Sequence, residues 1–180
     1  MLFNQTPLKG AFTIDLQKRE DERGFFARLF CTDEFAAHGL DSGFVQANNS
    51  LSKDKGTLRG MHYQLGTAAE TKLVRCIQGS LFDVILDLRP GSSTIGHSFG
   101  AVLSQANKTM MYVPKGFAHG FLTLEPNSEV IYLVSAPYSK DLERGIRWND
   151  PRFSIAWPET PQVISDRDAI HSDFDPVKHL

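Results

Sequence analysis

The sequence predicts an all-β fold, a sandwich or barrel rather than a set of βαβ units, and three observations carry that reading. Short apolar runs recur between turn signals along the whole chain. In Ser80–Leu88, Phe82, Val84, Leu86 and Leu88 alternate with Asp83, Ile85 and Asp87, the period of two that marks a strand. Thirteen phenylalanines supply flat rings that pack well on a pleated surface. The 180 residues, 41% of them hydrophobic, suffice for one sizeable core. No repeat, linker or low-complexity run divides them, so residues 1–180 are expected to form a single domain.

Taken in order, strands are expected at Phe25–Phe30, Phe44–Leu51, Thr57–Gln64, Lys72–Gln78, Ser80–Leu88, His97–Leu103, Thr109–Val113, Gly120–Leu124 and Glu129–Ser135. Gln78-Gly79 makes a tight connection between two of them. One short helix is expected over Asp33–His38, with Thr32 as N-cap and acids in the first turn. Beyond Trp148, prolines at 151, 158 and 161 forbid a long regular element. Phe153, Ile155 and Trp157 still need burial, so this tail is expected to wrap the barrel.

A net charge of −2 gives no reason to expect nucleic acid or an anionic membrane as partner. No apolar stretch approaches the ~20 residues needed to span a bilayer. The opening MLFNQTPLKG lacks a basic start followed by an apolar run, so a cytoplasmic protein is expected. Cys31 and Cys76, far apart in apolar or strand-like contexts, read as buried free thiols.

Pro114-Lys115-Gly116-Phe117-Ala118-His119, placed after a strand, resembles the second motif of the cupin superfamily. Its proline and glycine shape the strand connection, and the histidine then points into the barrel. The first cupin motif supplies His-x-His and a later Glu as metal ligands, and here Gln64 stands where the second His would be. His62, Glu70 and His119 would make a chemically acceptable set. A neutral amide at Gln64 is a poor ligand and Lys72 repels a cation, so no metal is expected.

A longer series is more specific. Asp21-Glu22-Arg23-Gly24-Phe25-Phe26, Gln46-x-Asn48-x-Ser50, Thr57-Leu58-Arg59-Gly60-x-His62-Tyr63-Gln64, Lys72-Leu73-Val74-Arg75, Phe82-Asp83-Val84, Asp87-Leu88-Arg89, the Pro114 segment, Trp148-Asn149-Asp150 and Trp157-Pro158 follow in order. The series resembles the dTDP-4-dehydrorhamnose 3,5-epimerase family from about Leu8 to Asp168. That resemblance implies a cupin jelly-roll barrel with a few short helices, a sugar nucleotide held inside, and no cofactor. It also implies a homodimer with N-terminal strands exchanged between subunits.

Inverting a carbon beside a ketone needs a base on one face and an acid on the other, with a positive charge or donor near the enolate. His62 falls on the family's base, and an unperturbed imidazole titrates close to physiological pH. Asp168 matches the carboxylate that pairs with it and orients the ring, Asp166 being the rival if the register of the tail differs. Tyr132 matches the acid and shares a strand face with Val130 and Val134. Lys72 shares a face with Val74 and Cys76, where an ammonium wants an anion, and the C4 enolate oxygen is the family's candidate. A core histidine, a buried core tyrosine and a solvated edge lysine are the plainer readings of His62, Tyr132 and Lys72.

Arg59 and Arg23 match phosphate-binding positions, and the guanidinium fork suits phosphate oxygens. Arg59 and His62 fall on opposite faces of an ideal strand, so a bulge near Gly60 or a rim position is required. His119 is expected to line the pocket without a proton-transfer step. Phe26, Gln46, Asn48 and Tyr138 match nucleotide or sugar contacts, with ordinary packing or loop hydrogen bonding as the alternative.

The chain departs from typical dTDP-rhamnose enzymes at Arg28, where Glu is usual, and at Ala47 and Asn49, where Asp and His are common. An arginine offers only donors, which would suit cytosine, an added phosphate or a sugar carboxylate. Alternatively Arg28 faces solvent or another subunit and the substrate is dTDP-linked. The same base and acid serve C3 and C5, so the residues do not choose between them. Rival functions are a metal-dependent cupin oxygenase or isomerase, a sugar-nucleotide ketoisomerase on the same barrel, and a non-catalytic sugar binder.

Overall fold

A computed structural model describes residues 1–180. Fourteen strands form: β1 (Leu2–Gln5), β2 (Phe12–Asp15), β3 (Arg19–Asp21), β4 (Gly24–Phe26), β5 (Gln46–Ser52), β6 (Thr57–Gln64), β7 (Lys72–Gln78), β8 (Ser80–Asp87), β9 (Ser98–Ser104), β10 (Met110–Val113), β11 (Phe117–Thr123), β12 (Ser128–Val134), β13 (Glu143–Gly145) and β14 (Val163–Ile164). The helices α1 (Thr32–Ala37), α2 (Asp166–Ala169) and α3 (Pro176–His179) are short. One sheet runs β1-β2-β10-β7-β12-β5 and the other β13-β6-β11-β8-β9, with β14 parallel to β6.

From β5 onward the chain crosses between the sheets at almost every connection, giving the jelly-roll barrel. Gly79, at φ +71°, is such a crossing: β7 and β8 lie in different sheets, so the tight turn at Gln78-Gly79 is a corner and not a hairpin. A side chain there would also meet Ser128, because an added Cβ lies 2.6 Å from its Oγ. Pro114-Lys115-Gly116 is the corresponding corner between β10 and β11.

Apolar side chains form three layers. Val74, Cys76, Met111, Val113 and Val130 of the first sheet meet Leu81, Ile85, Leu103, Phe117 and Phe121 of the second between the sheets. Phe35 of α1 is fully buried on the outside of the first sheet with Phe12, Ile14, Leu73 and Tyr112. Met61, Tyr63, Val84 and Leu86 face outward from the second sheet beneath Phe153, Ile155, Trp157 and Phe174 of the tail. The alternation in β8 thus marks a strand buried on both faces, with Asp83, Ile85 and Asp87 turned inward. The tail wraps as expected, pinned by the Tyr63 hydroxyl donating to the His179 carbonyl (2.9 Å) and by Trp157 Nε1 donating to the Trp148 carbonyl (2.8 Å).

Several expectations are corrected. The strand at Phe25–Phe30 ends at Phe26, because Ala27 and Phe30 leave the β3–β4 hairpin to pack beneath α1. Cys31, not Thr32, is the N-cap of α1, and no side chain caps it. Six residues are too few for an isolated helix. Packing of Phe35 against Phe3, Phe30 and Tyr112 holds it, and Gly39 in the left-handed region ends it. β11 begins at Phe117, so His119 sits within a strand. Cys76 is buried, but Cys31 is only half-buried.

Candidate active site

The barrel holds a cleft of two adjoining lobes, about 360 and 370 Å³, which share His62, Lys72, Tyr132, Tyr138 and Glu143. Gln46 and Asn48 line the first lobe, and Arg59, His119 and Asp168 the second. Nine of the twelve candidate residues therefore converge. The other three, Arg23, Phe26 and Arg28, lie outside this cleft: the hairpin carrying Arg23 and Phe26 is exposed along its length, and Arg23 pairs with Asp21 at 2.6 Å. Arg28 Nη1 donates to Glu34 Oε1 at 2.9 Å, so its charge is matched within its own chain.

His62 and Arg59 share the cleft because β6 is irregular. His119 pairs with His62 and Phe121 with Arg59, so two steps along β11 oppose three along β6. Gly60 occupies the bulge at φ +120°, and an added Cβ would lie 2.6 Å from Gly120 Cα. The irregularity anticipated from the 59/62 spacing is thus present.

His62 Nε2 and Asp168 Oδ1 are 2.6 Å apart, and the Gly60 N–H donates to Asp168 Oδ2 at 3.2 Å. A neutral His62 donates from Nε2, which leaves Nδ1 as its free acceptor. Asp168 lies in the first turn of α2, where Ser165 caps the helix by accepting from the Asp168 N–H. Burial acts to raise the Asp168 carboxyl, but the His171 and His62 imidazoles and the Gly60 N–H outweigh it and hold it well below the usual carboxylate range.

Tyr132 stands on the opposite sheet from His62, so the two groups occupy opposite walls. Burial, with Glu70 adding to it, pushes the Tyr132 phenol up. On the adjacent strand, Lys72 Nζ lies 3.3 Å from Glu70 Oε1, both side chains about nine-tenths buried. Glu70 Oε2 also accepts from Gln64 Nε2 at 3.1 Å, and Gln64 Oε1 accepts from the Ser139 N–H. Arg59 is aimed by donating from Nε to Ser52 Oγ (3.1 Å) and from Nη2 to the Leu51 carbonyl (3.2 Å). His119 Nε2 faces the fully buried Asp83 at 2.8 Å. The cupin-type set is therefore dispersed among pairs: His62 with Asp168, Glu70 with Lys72, His119 with Asp83.

Three further groups were not singled out in the sequence. Glu143 accepts from the Tyr138 hydroxyl (2.8 Å) and pairs with Arg167. His171 lies beside Asp168 at 3.5 Å. Glu143 opens the three-residue β13, too short for a strand period, and Arg167 and His171 lie in the tail, where none applies; the charged run after Tyr138 is the one signal for Glu143.

The family model described as dTDP-4-dehydrorhamnose 3,5-epimerase matches residues 5–175. The chain belongs to this family. A dTDP-4-dehydrorhamnose 3,5-epimerase of Sinorhizobium fredii is 44% identical over 170 residues, covering 94% of this chain and 87% of the relative. The crystal structure of the Elizabethkingia anophelis epimerase superposes with a TM-score of 0.95 at 39% identity, covering 100% and 99% of the two chains. The Legionella pneumophila epimerase, solved in complex with dTDP-4-keto-L-rhamnose, gives 0.89 at 37% identity over 96% and 92%. No helix is long and apolar enough to cross a membrane.

Proposed function

We propose that this protein epimerises a dTDP-linked 4-keto-6-deoxy hexose without a cofactor, by proton removal and return through an enolate. One observation carries the reading: the His62–Asp168 pair on one wall faces Tyr132 and Lys72 on the other. His62 Nδ1 takes the proton from the carbon beside the ketone, and the C–H electrons move into the enolate, whose charge falls on the C4 oxygen. Lys72 stabilises that oxygen, and Asp168 stabilises the imidazolium. Tyr132, kept protonated by its burial, delivers a proton to the opposite face. Solvent then reprotonates the phenolate and takes the proton from His62. Arg59 binds diphosphate at the cleft rim, with Gln46, Asn48, His119 and Tyr138 contacting nucleotide or sugar.

The active unit is a homodimer in which the β3–β4 hairpin brings Arg23 and Phe26 to the partner's cleft. This is supported by the exposure of the whole hairpin and by the exposed apolar side chains of Phe25, Phe26, Leu29, Val45, Leu51 and Ile131. Incubation in D₂O with dTDP- and CDP-linked 4-keto-6-deoxyglucose, followed by NMR, tests the reading. Deuterium should enter at C3, C5 or both from the dTDP substrate and not with His62→Ala. Faster exchange from the CDP substrate would overturn the nucleotide assignment and return Arg28 to the specificity site.

A further inference from the structure

His171 is an imidazole that the proposed reaction does not use. Its side chain is only 16% exposed, and its buried Nε2 makes no close hydrogen bond, with Asp168 Oδ1 3.5 Å away. The ring is packed over Gly145, where an added Cβ would lie 2.1 Å from His171 Cε1, so only glycine leaves room for it. It meets the His62 ring edge to face, with centroids 5.7 Å apart. One ligand atom from each of His62, Asp168 and His171 lies within 4.8 Å of the others.

From these positions we infer that His62, Asp168 and His171 form a binding site for a divalent transition metal, zinc(II) by donor type, and that filling it switches the base off. Two imidazoles and a carboxylate are a three-donor zinc set that leaves the fourth position to water. Tetrahedral bonds of about 2.0–2.1 Å place ligand atoms roughly 3.3 Å apart. The Asp168–His171 separation of 3.5 Å already meets that spacing. The His62–Asp168 contact of 2.6 Å must open by well under 1 Å. The Gly60 N–H on Asp168 Oδ2 supplies the outer hydrogen bond that orients such a carboxylate. Glu70, 3.3 Å from Lys72 Nζ, offsets the repulsion between that ammonium and an incoming cation. His62, at 30% side-chain exposure, gives the ion a path in from the cleft.

The inhibition rests on His62 being the base. A metal on His62 Nε2 takes the place of that proton, which moves to Nδ1, so the metal-bound neutral ring carries its one proton on Nδ1. No lone pair is then left to attack the substrate. Binding and inhibition are thus separable observations.

The test uses the full chain stripped with EDTA, zinc chloride or cobalt(II) chloride as probe, and the variants His171→Ala and His171→Asn. Cobalt(II) should give tetrahedral visible bands in the unaltered protein, zinc should raise its Tm, and about 10 µM zinc should slow deuterium exchange at least tenfold. Each variant, measured against its own metal-free exchange rate, should need at least roughly thirtyfold more zinc for both effects. Equal zinc responses in the protein and both variants, or no response by about 1 mM, would overturn the site. Cobalt bands and a Tm shift without inhibition would uphold the site but overturn the switch, locating the fault in the assignment of His62.

Discussion

Asp168→Asn isolates the part played by the tail in the chemistry. Both oxygens of Asp168 accept, one from His62 Nε2 at 2.6 Å and one from the Gly60 N–H at 3.2 Å. An amide cannot serve both. With its oxygen toward Gly60, its NH₂ donates to His62 Nε2, the ring proton moves to Nδ1, and the base has no lone pair. Turning the oxygen to His62 restores the lone pair but sets the NH₂ against the Gly60 N–H, costing about 1–3 kcal/mol for a buried donor left unsatisfied. The imidazolium then faces a neutral carbonyl instead of a carboxylate, which removes about 1–2 kcal/mol more. Together these, about 2–5 kcal/mol, give a loss of kcat of about 30- to 5,000-fold. KM should stay within about threefold, since the residue reaches substrate only through His62. Steady-state kinetics with NMR detection of deuterium entry measures both, with Tm as the fold control. A loss of kcat under tenfold in a folded variant would refute the assignment of Nδ1 as the base.

Tyr132→Phe should retain exchange on the His62 side while net inversion falls by about 10²–10⁴; inversion at the original rate would remove Tyr132 as the acid. Lys72→Met leaves Glu70, whose side chain is 11% exposed, without its cation, and should cost about 3 kcal/mol in urea unfolding. Adding Glu70→Gln should restore at least half of that, and no restoration would mean the pair is not what holds this corner. Burial alone would push the Asp87 carboxyl up, but hydrogen bonds from Arg89, Ser92 and Thr94 reverse this and hold it at about 2 against an ordinary 3.8. The stabilisation, about 2 kcal/mol, is present above the ordinary value and is lost as pH falls through about 2. Unfolding free energies should therefore decline more steeply with acid in the natural chain than in Asp87→Asn, and parallel profiles would contradict this.

The strands that carry the site were legible because period-two patterning and flanking turns agree. β6 and β7 run over the residues that the apolar pattern marked, Thr57–Gln64 and Lys72–Gln78. The bulge was legible too, since Arg59 and His62 could not otherwise share a face. β1, β13 and β14, each of two to four residues, are too short for periodicity to register. The β3–β4 hairpin is exposed along both strands, so no apolar pattern reports where it points. Arg23, Phe26 and Arg28 were consequently placed at a site that their own chain does not bring them to. His171 carries no pattern for a related reason: its neighbour Gly145 ends β13, and only the fold brings the two together so that one makes room for the other.

Asp168 lies 106 positions beyond the histidine it serves, in a segment laid over the outside of a finished barrel. Synthesis and folding of the inner layers can therefore be complete while the enzyme is still silent. Any fluctuation that lifts the tail, even one too small to expose the aliphatic interior, withdraws the carboxylate and leaves His62 without its anchor. Turnover thus registers whether the wrapping is in place, and loss of activity on warming should precede loss of the barrel itself.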